Sequence, residues 1–66
     1  MENKRSLKII RILLQQQGYI TIQEVADRLD VSNKTIRNDL KLIEDHVKDY
    51  QLFLRKKTGT GIRIEG

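Results

Sequence analysis

Four aliphatic residues recur at helical spacing in the second half of the sequence, at Ile36, Leu40, Ile43 and Val47. At about 100° per residue they lie within roughly 60° of one another, so a helix through them buries one narrow stripe. Ser32 stands just before this segment, where its hydroxyl can cap a helix N-terminus. The sequence therefore predicts a helix that starts after Ser32 and reaches about position 48.

Two further helices are predicted upstream. Apolar residues recur at helical spacing before Gly18, which acts as a stop, and this pattern predicts a first helix over residues 4–17. Thr21 and Glu24 form a capping box, so a second helix is expected from position 22 to about Leu29. We expect the first helix to cover the other two through an apolar stripe. Its predicted residues are Leu7, Ile10, Leu13 and Leu14, joined by Ile9 and Ile12.

The break between the second and third helices is short. Asp30 tolerates a left-handed backbone, and Ser32 can cap the helix that follows. Small Ala26 lets two helices approach closely at a tight turn, which is the geometry of a helix-turn-helix. The residues predicted to pack between these helices are Val25, Ala26, Leu29, Val31, Ile36 and Leu40.

The C-terminal residues are predicted to form a β-hairpin. Residues 52–57 and 62–64 read as two strands, and the segment 58–61 between them holds two glycines that permit positive φ. Residues 19–21 form a short β-prone link between the first two helices. The predicted fold is therefore mainly α with a small β-hairpin.

Length and composition exclude several functions. A domain of 66 residues buries little surface, so we expect no deep catalytic cleft, no enzymatic activity and no cofactor. The chain has no cysteine, and His46, its one histidine, lacks partners for a metal site, so no metal is expected. A small domain without disulfide bonds fits the reducing environment of the cytoplasm. The apolar run over residues 7–14 is too short to span a membrane.

The charge of the chain indicates a polyanionic partner. Thirteen Lys and Arg stand against nine Asp and Glu, which gives a net charge of +4. The face of the third helix opposite its apolar stripe carries Lys34, Arg37, Asn38 and Lys41. Any surface helix can present such a polar face to solvent. Here a helix-turn-helix and a basic hairpin are predicted beside it, and this combination favours binding of the third helix in the DNA major groove.

The predicted contacts follow from the geometry of the side chains. Arg suits the guanine edge and Asn the adenine edge, so Arg37 and Asn38 are the predicted base contacts, whereas Lys41 is expected to meet phosphate. The N-terminus of a helix also favours a phosphate. The residues predicted to meet the groove are Ser32, Asn33, Lys34, Thr35, Arg37, Asn38 and Lys41.

Two stretches resemble bacterial transcription regulators. Residues 31–40, VSNKTIRNDL, resemble the recognition-helix signature of winged-helix regulators of the DeoR type and of the sugar-phosphotransferase-regulated PRD type. Residues 52–66, with the pattern LxLxKKxGxGxxIxG, resemble the wing of PRD-type regulators and of the biotin operon repressor's DNA-binding domain. Together with the capped second helix, the two motifs cover residues 21–66.

The resemblance implies a winged helix-turn-helix of three helices with a two- or three-stranded wing. The domain would fill residues 1–66, with the helix-turn-helix over 22–48 and the wing over 52–64. It implies sequence-specific binding to double-stranded DNA as part of a bacterial regulator, with the third helix in the major groove. The wing contacts that it implies on the DNA backbone are Arg55, Lys56, Lys57, Thr58, Thr60 and Arg63. We expect the chain to be a fragment of a longer regulator, in which a homodimer would form through other regions.

Three other interpretations stay open. An RNA-binding antitermination module would need aromatic side chains for stacking, and these are scarce. A protein-interaction winged helix could dock a partner through Phe53 or the third helix, although a basic wing suits phosphate better. The first helix, with Lys8 and Arg11 beside apolar residues, could lie on a membrane surface, but core packing is favoured. Tyr19 and Tyr50 are predicted to lie at the edge of the core.

Overall fold

The computed structural model describes residues 4–66, so the first three residues of the predicted domain lie outside the described residues. The elements, in chain order, are α1 (Lys4–Gln15), α2 (Ile22–Leu29), α3 (Asn33–Lys48), β1 (Phe53–Lys57) and β2 (Gly61–Glu65). The two strands pair antiparallel, and we call residues 53–65 the wing. The prediction of a mainly helical fold with a small hairpin is confirmed.

The caps of α2 and α3 are those that the sequence predicts. The Thr21 hydroxyl accepts a hydrogen bond from the Glu24 backbone N–H at 3.0 Å, and the Ser32 hydroxyl accepts one from the Thr35 N–H at 3.1 Å. Asp30 ends α2 with φ 56° and ψ 47°, in the left-handed region. These local hydrogen bonds fix a turn of three residues between the two helices.

One apolar core joins the three helices and β2. The predicted stripe of α3 is confirmed, since each of its four residues is at most 2% exposed. Val25 and Ala26 of α2 are fully buried against it, and Ile62 and Ile64 close the core from β2. Leu29 and Val31 pack at its margin.

The first helix is rotated relative to its prediction. Ile9 and Leu13 are buried, but Leu7 and Leu14 are 53% and 55% exposed, so their placement in the covering stripe is wrong. Residues 7–14 contain more aliphatic positions than one face can hold, and only the shape of the other elements selects which ones are buried. Within residues 4–66, no helix is long and apolar enough to cross a membrane.

The first helix also ends earlier than predicted, at Gln15 rather than at position 17. The following residues leave the helix and lead to Ile20, which pairs with Ile62 of the wing as an isolated antiparallel bridge. The Ile20 N–H donates to the Ile62 carbonyl at 2.9 Å, and the Ile62 N–H donates to the Ile20 carbonyl at 2.8 Å. This bridge adds a third, one-residue strand to the sheet.

An ion pair ties α1 to α3. Asp39 of α3 is only 4% exposed, and its two carboxylate oxygens accept from Nε and Nη2 of Arg5, the latter at 3.2 Å. The hydrogen bond to Asp39 raises the pKa of Arg5 against the opposing effect of burial, so the guanidinium stays charged. The buried carboxylate therefore has the charged partner that it needs.

Gly61 lies where the wing meets Ile20. Its φ is +132°, and a Cβ atom built on it would stand 2.4 Å from the Ile20 carbonyl oxygen. That distance is far below van der Waals contact, and the obstructing atom belongs to the backbone. Only glycine fits this position without moving the wing away from the bridge.

We expect Gly61→Ala to lower the free energy of unfolding by about 2 kcal/mol or more, because it adds a backbone clash to an unfavourable φ. Gly59→Ala is the matched control, since Gly59 has φ +77° but open space around it. That control is expected to lose only about 1 kcal/mol. Urea unfolding of the two variants measures the difference. Equal losses would contradict the close contact between Gly61 and Ile20.

Candidate nucleic-acid interface

A cleft of about 630 Å³ separates α3 from the wing. One wall is the front of α3 and the other is the wing tip, and the start of α2 lies at its base. The cations that line it are Arg37, Lys41, Lys56 and Lys57. No acid stands among the described residues of its lining, so the cleft attracts anions.

The front of α3 is open to solvent. Lys34, Arg37, Asn38 and Lys41 are all exposed, on the side opposite the buried stripe. Within residues 4–66 no hydrogen bond or ion pair engages these four side chains. Their donors are therefore available to a ligand without the loss of an internal contact.

The predicted contacts in the first turn of α3 already have protein partners. The hydroxyls of Ser32 and Thr35 lie 2.9 Å apart, and Ser32 also caps the helix. Asn33 Nδ2 donates to Gln23 Oε1 of α2 at 2.7 Å. The structure thus brings these residues to one end of the basic face, where the Ser32 and Thr35 hydroxyls and the Asn33 amino group already have hydrogen-bond partners within the protein.

Two arginines of the wing share one carboxylate. Arg55 and Arg63 are register partners on neighbouring strands, so both side chains lie on one face of the hairpin. Arg55 Nε donates to Glu65 Oε2 at 2.8 Å, and Arg63 Nε lies 3.4 Å from Glu65 Oε1. Glu65 therefore partly neutralises this face and holds the two guanidinium groups in place.

An ion pair connects the wing to α3. Lys56 Nζ lies 3.3 Å from Glu44 Oε2, and both side chains remain partly exposed. Exposed pairs of this kind contribute little to stability. Lys56 can therefore exchange Glu44 for an external anion at small cost.

The wing tip is exposed, and an aromatic ring lies beneath part of it. Thr58 and Thr60 are solvent-accessible at the tip and line the cleft. Lys57 Nζ lies 6.0 Å and Arg63 Cζ 5.7 Å from the centroid of the half-buried Tyr19 ring. These distances are within cation–π reach, so Tyr19 orients two of the predicted contacts.

The other two aromatic residues face solvent. Tyr50 is 66% exposed, with its ring edge-on to His46 at 5.4 Å between centroids, so its predicted place at the edge of the core is wrong. Tyr50 follows the end of α3, where the chain turns outward before β1. Phe53 is 56% exposed, on the strand face opposite Leu52 and Leu54, as the alternation predicts.

Four residues of this region were missed by the sequence reasoning: Gln23, Asp27, Glu44 and Glu65. Glu44 and Glu65 join cations that are distant in sequence, and only the strand register and the wing position bring them together. Gln23 lies in the first turn of α2, at the end opposite the turn of three residues, and only the crossing of α2 and α3 brings it within 2.7 Å of Asn33. Asp27 follows it by one helical turn.

Comparisons with known proteins point the same way. A model of the family described as an HTH domain matches residues 5–63. The chain is 42% identical over 64 residues to the transcriptional regulator ManR of Bacillus subtilis. This match covers 94% of the chain and 10% of that protein. It is 34% identical over 65 residues to the anthrax toxin expression trans-acting positive regulator of Bacillus anthracis, and this match covers 97% of the chain and 13% of that protein.

A further relative is the lactose phosphotransferase system repressor of Lactococcus lactis, 46% identical over 44 residues, with 67% of this chain and 17% of that protein covered. The chain thus spans between a tenth and about a sixth of the length of these relatives. No solved structure gives a significant match.

We expect Glu44→Gln to strengthen binding to any DNA duplex by roughly two- to fivefold at low salt, because it releases Lys56 and removes a negative charge beside the cleft. Asp49→Asn, at the C-terminal end of α3, is the control with the same change in charge. Fluorescence anisotropy with a labelled duplex measures both. An equal gain in the control would mean that net charge, rather than the release of Lys56, causes the effect.

Proposed function

The chain belongs to the helix-turn-helix domain family as the DNA-binding domain of a bacterial transcription regulator, and we propose that it reads double-stranded DNA with α3 in the major groove and the wing on the adjacent backbone. The resemblance to PRD-type regulators that the sequence indicates is confirmed by these relatives. The part of the proposal that goes beyond the family is the assignment of roles to individual side chains.

The observation that carries this assignment is the contrast between α3 and the wing. Among residues 4–66, the four cationic and amide side chains on the front of α3 have no hydrogen-bond or ion-pair partner, whereas three of the wing cations have an acidic one. Base reading needs side chains that are free to adopt bidentate geometry, and phosphate contact needs only positive charge at the right distance. We therefore assign base reading to α3 and backbone contact to the wing.

The position of each residue along α3 supports its role. Arg37 and Asn38 lie in the first two turns, which is the part of a recognition helix that reaches base edges. Arg37 has the fork that suits guanine O6 and N7, and Asn38 the amide that suits adenine N6 and N7. Lys41, one turn after Arg37, lines the cleft beside the wing, and this position supports a contact with phosphate.

The wider setting is part of the same proposal. The relatives are named as a transcriptional regulator, a trans-acting positive regulator of toxin expression and a repressor, which supports a domain that catalyses no reaction. We propose that it needs no cofactor and works in the cytoplasm. We propose that dimerisation, where the regulator needs it, involves regions outside this sequence. Two such domains would then meet half-sites about one helical turn apart.

The first experiment compares labelled duplex DNA with single-stranded RNA by anisotropy, each at two salt concentrations. The proposal predicts that the duplex binds more tightly and that its binding falls steeply with salt, by about 0.9 in log–log slope for each neutralised phosphate. Tighter binding to RNA would favour the antitermination module. The absence of binding to both at low salt would favour a protein contact.

We expect Arg37→Ala to cost about 1–3 kcal/mol on a duplex selected from a random pool and to relax the sequence preference, because a bidentate base contact is lost. Lys57→Ala should instead weaken all duplexes alike and lower the salt slope by about 1. Arg11→Ala, an exposed cation on α1 outside the cleft, is the control for the loss of charge. Titrations on selected and scrambled duplexes measure the three variants. Equal losses on every duplex for Arg37→Ala and Lys57→Ala would overturn the assignment.

A further inference from the structure

Three polar side chains form a chain of hydrogen bonds across the turn between α2 and α3. Gln23 Nε2 donates to Asp27 Oδ1 at 2.9 Å within α2. Asn33 Nδ2, at the first residue of α3, donates to Gln23 Oε1 at 2.7 Å. We call these three residues the relay.

The relay has a fixed direction. An ionised carboxylate only accepts hydrogen bonds, so Asp27 requires the amino group of Gln23 to face it. The carbonyl oxygen of Gln23 must then face Asn33, and the amino group of Asn33 must face Gln23. A side-chain amide with neutral partners could turn over and exchange donor for acceptor, whereas these two cannot without losing a bond.

This direction determines what Asn33 can offer to DNA. An asparagine reads adenine with one donor and one acceptor side by side. The amino group of Asn33 is bound to Gln23, and its Oδ1 is buried with no hydrogen-bond partner among residues 4–66. Asn33 therefore lacks an outward donor–acceptor pair, whereas the exposed Asn38 has one.

We propose that Gln23 and Asp27 are positioning residues for DNA reading, and that they act through Asn33 by fixing the first turn of α3 against α2. The burial of apolar surface is a non-directional driving force, so it does not by itself specify the rotation of α3 about its axis. Hydrogen bonds lose strength with small changes of angle, so the relay restricts that rotation at the end of α3 that meets the bases. Arg37 and Asn38 follow within about one turn of Asn33 and move with it.

The proposal rests on the proposed function, and a double-mutant cycle tests it. A duplex is first selected from a random pool with the unaltered protein, and discrimination is the affinity for it divided by that for a scrambled duplex. Gln23→Ala and Asn33→Ala are each expected to lower discrimination by about three- to tenfold, and the double variant no further, because the two residues act as one unit.

Two further readouts separate positioning from loss of stability or charge. Neither substitution changes the net charge, so affinity for the scrambled duplex and its salt slope should stay as in the unaltered protein. The melting temperature should change little, because Gln23 is exposed and the Ser32 cap is retained. Gln15→Ala, an exposed glutamine at the end of α1, is the matched control and should leave discrimination unaltered. Additive losses in the double variant, or full discrimination in Gln23→Ala, would overturn the proposal.

The relay can also be tested without DNA, which separates its failure from that of the proposed function. In NMR spectra of the free protein, Asp27→Asn should shift the side-chain amide resonances of both Gln23 and Asn33, because an asparagine can donate as well as accept and so no longer fixes their orientation. Glu24→Gln, with the same change in charge on the same helix, should leave them in place. Resonances that do not respond to Asp27→Asn would show that the relay does not form. A protein that selects no sequence but passes this test would contradict the proposed function alone.

Discussion

Two backbone hydrogen bonds between Ile20 and Ile62 determine where the wing stands. A two-stranded hairpin is only marginally stable alone, and this pair joins it to the residue before the Thr21 cap of α2. Since α2 packs on α3, the bridge also sets the distance between the wing tip and the front of α3. The missing side chain of Gly61 allows the two backbones to approach, so the cleft depends on one glycine.

The electrostatics of the cleft divide its cations into two groups. Among residues 4–66, Arg37 and Lys41 of α3 have no ion-pair or hydrogen-bond partner, whereas Lys56 of the wing pairs with Glu44. Outside the cleft, the wing residues Arg55 and Arg63 pair with Glu65. An internal acid competes with phosphate for the wing cations and so weakens binding that is independent of sequence. In the proposed function, base contacts from α3 would then account for a larger share of the binding free energy, which favours discrimination over affinity.

Three kinds of interaction hold α3 in place. The apolar stripe supplies most of the free energy but little direction. The ion pair between Asp39 and Arg5 fixes the side of α3 that faces α1. At the contact between α2 and α3, the relay through Gln23 fixes the N-terminal end of α3. A helix that reads bases must be both firmly packed and precisely oriented. The apolar stripe meets the first requirement, and the two polar contacts meet the second.

The sequence by itself determined the elements whose signals are local. The α3 stripe, the Thr21 and Ser32 caps and the left-handed Asp30 depend on residues at most a few turns apart. The rotation of α1 and the ion pairs that join the wing strands to each other and to α3 were not predicted. Each of these depends on a partner distant in sequence, and an aliphatic or charged residue fits several such partners equally well. Only the assembled fold selects one, because close packing in three dimensions leaves room for a single arrangement.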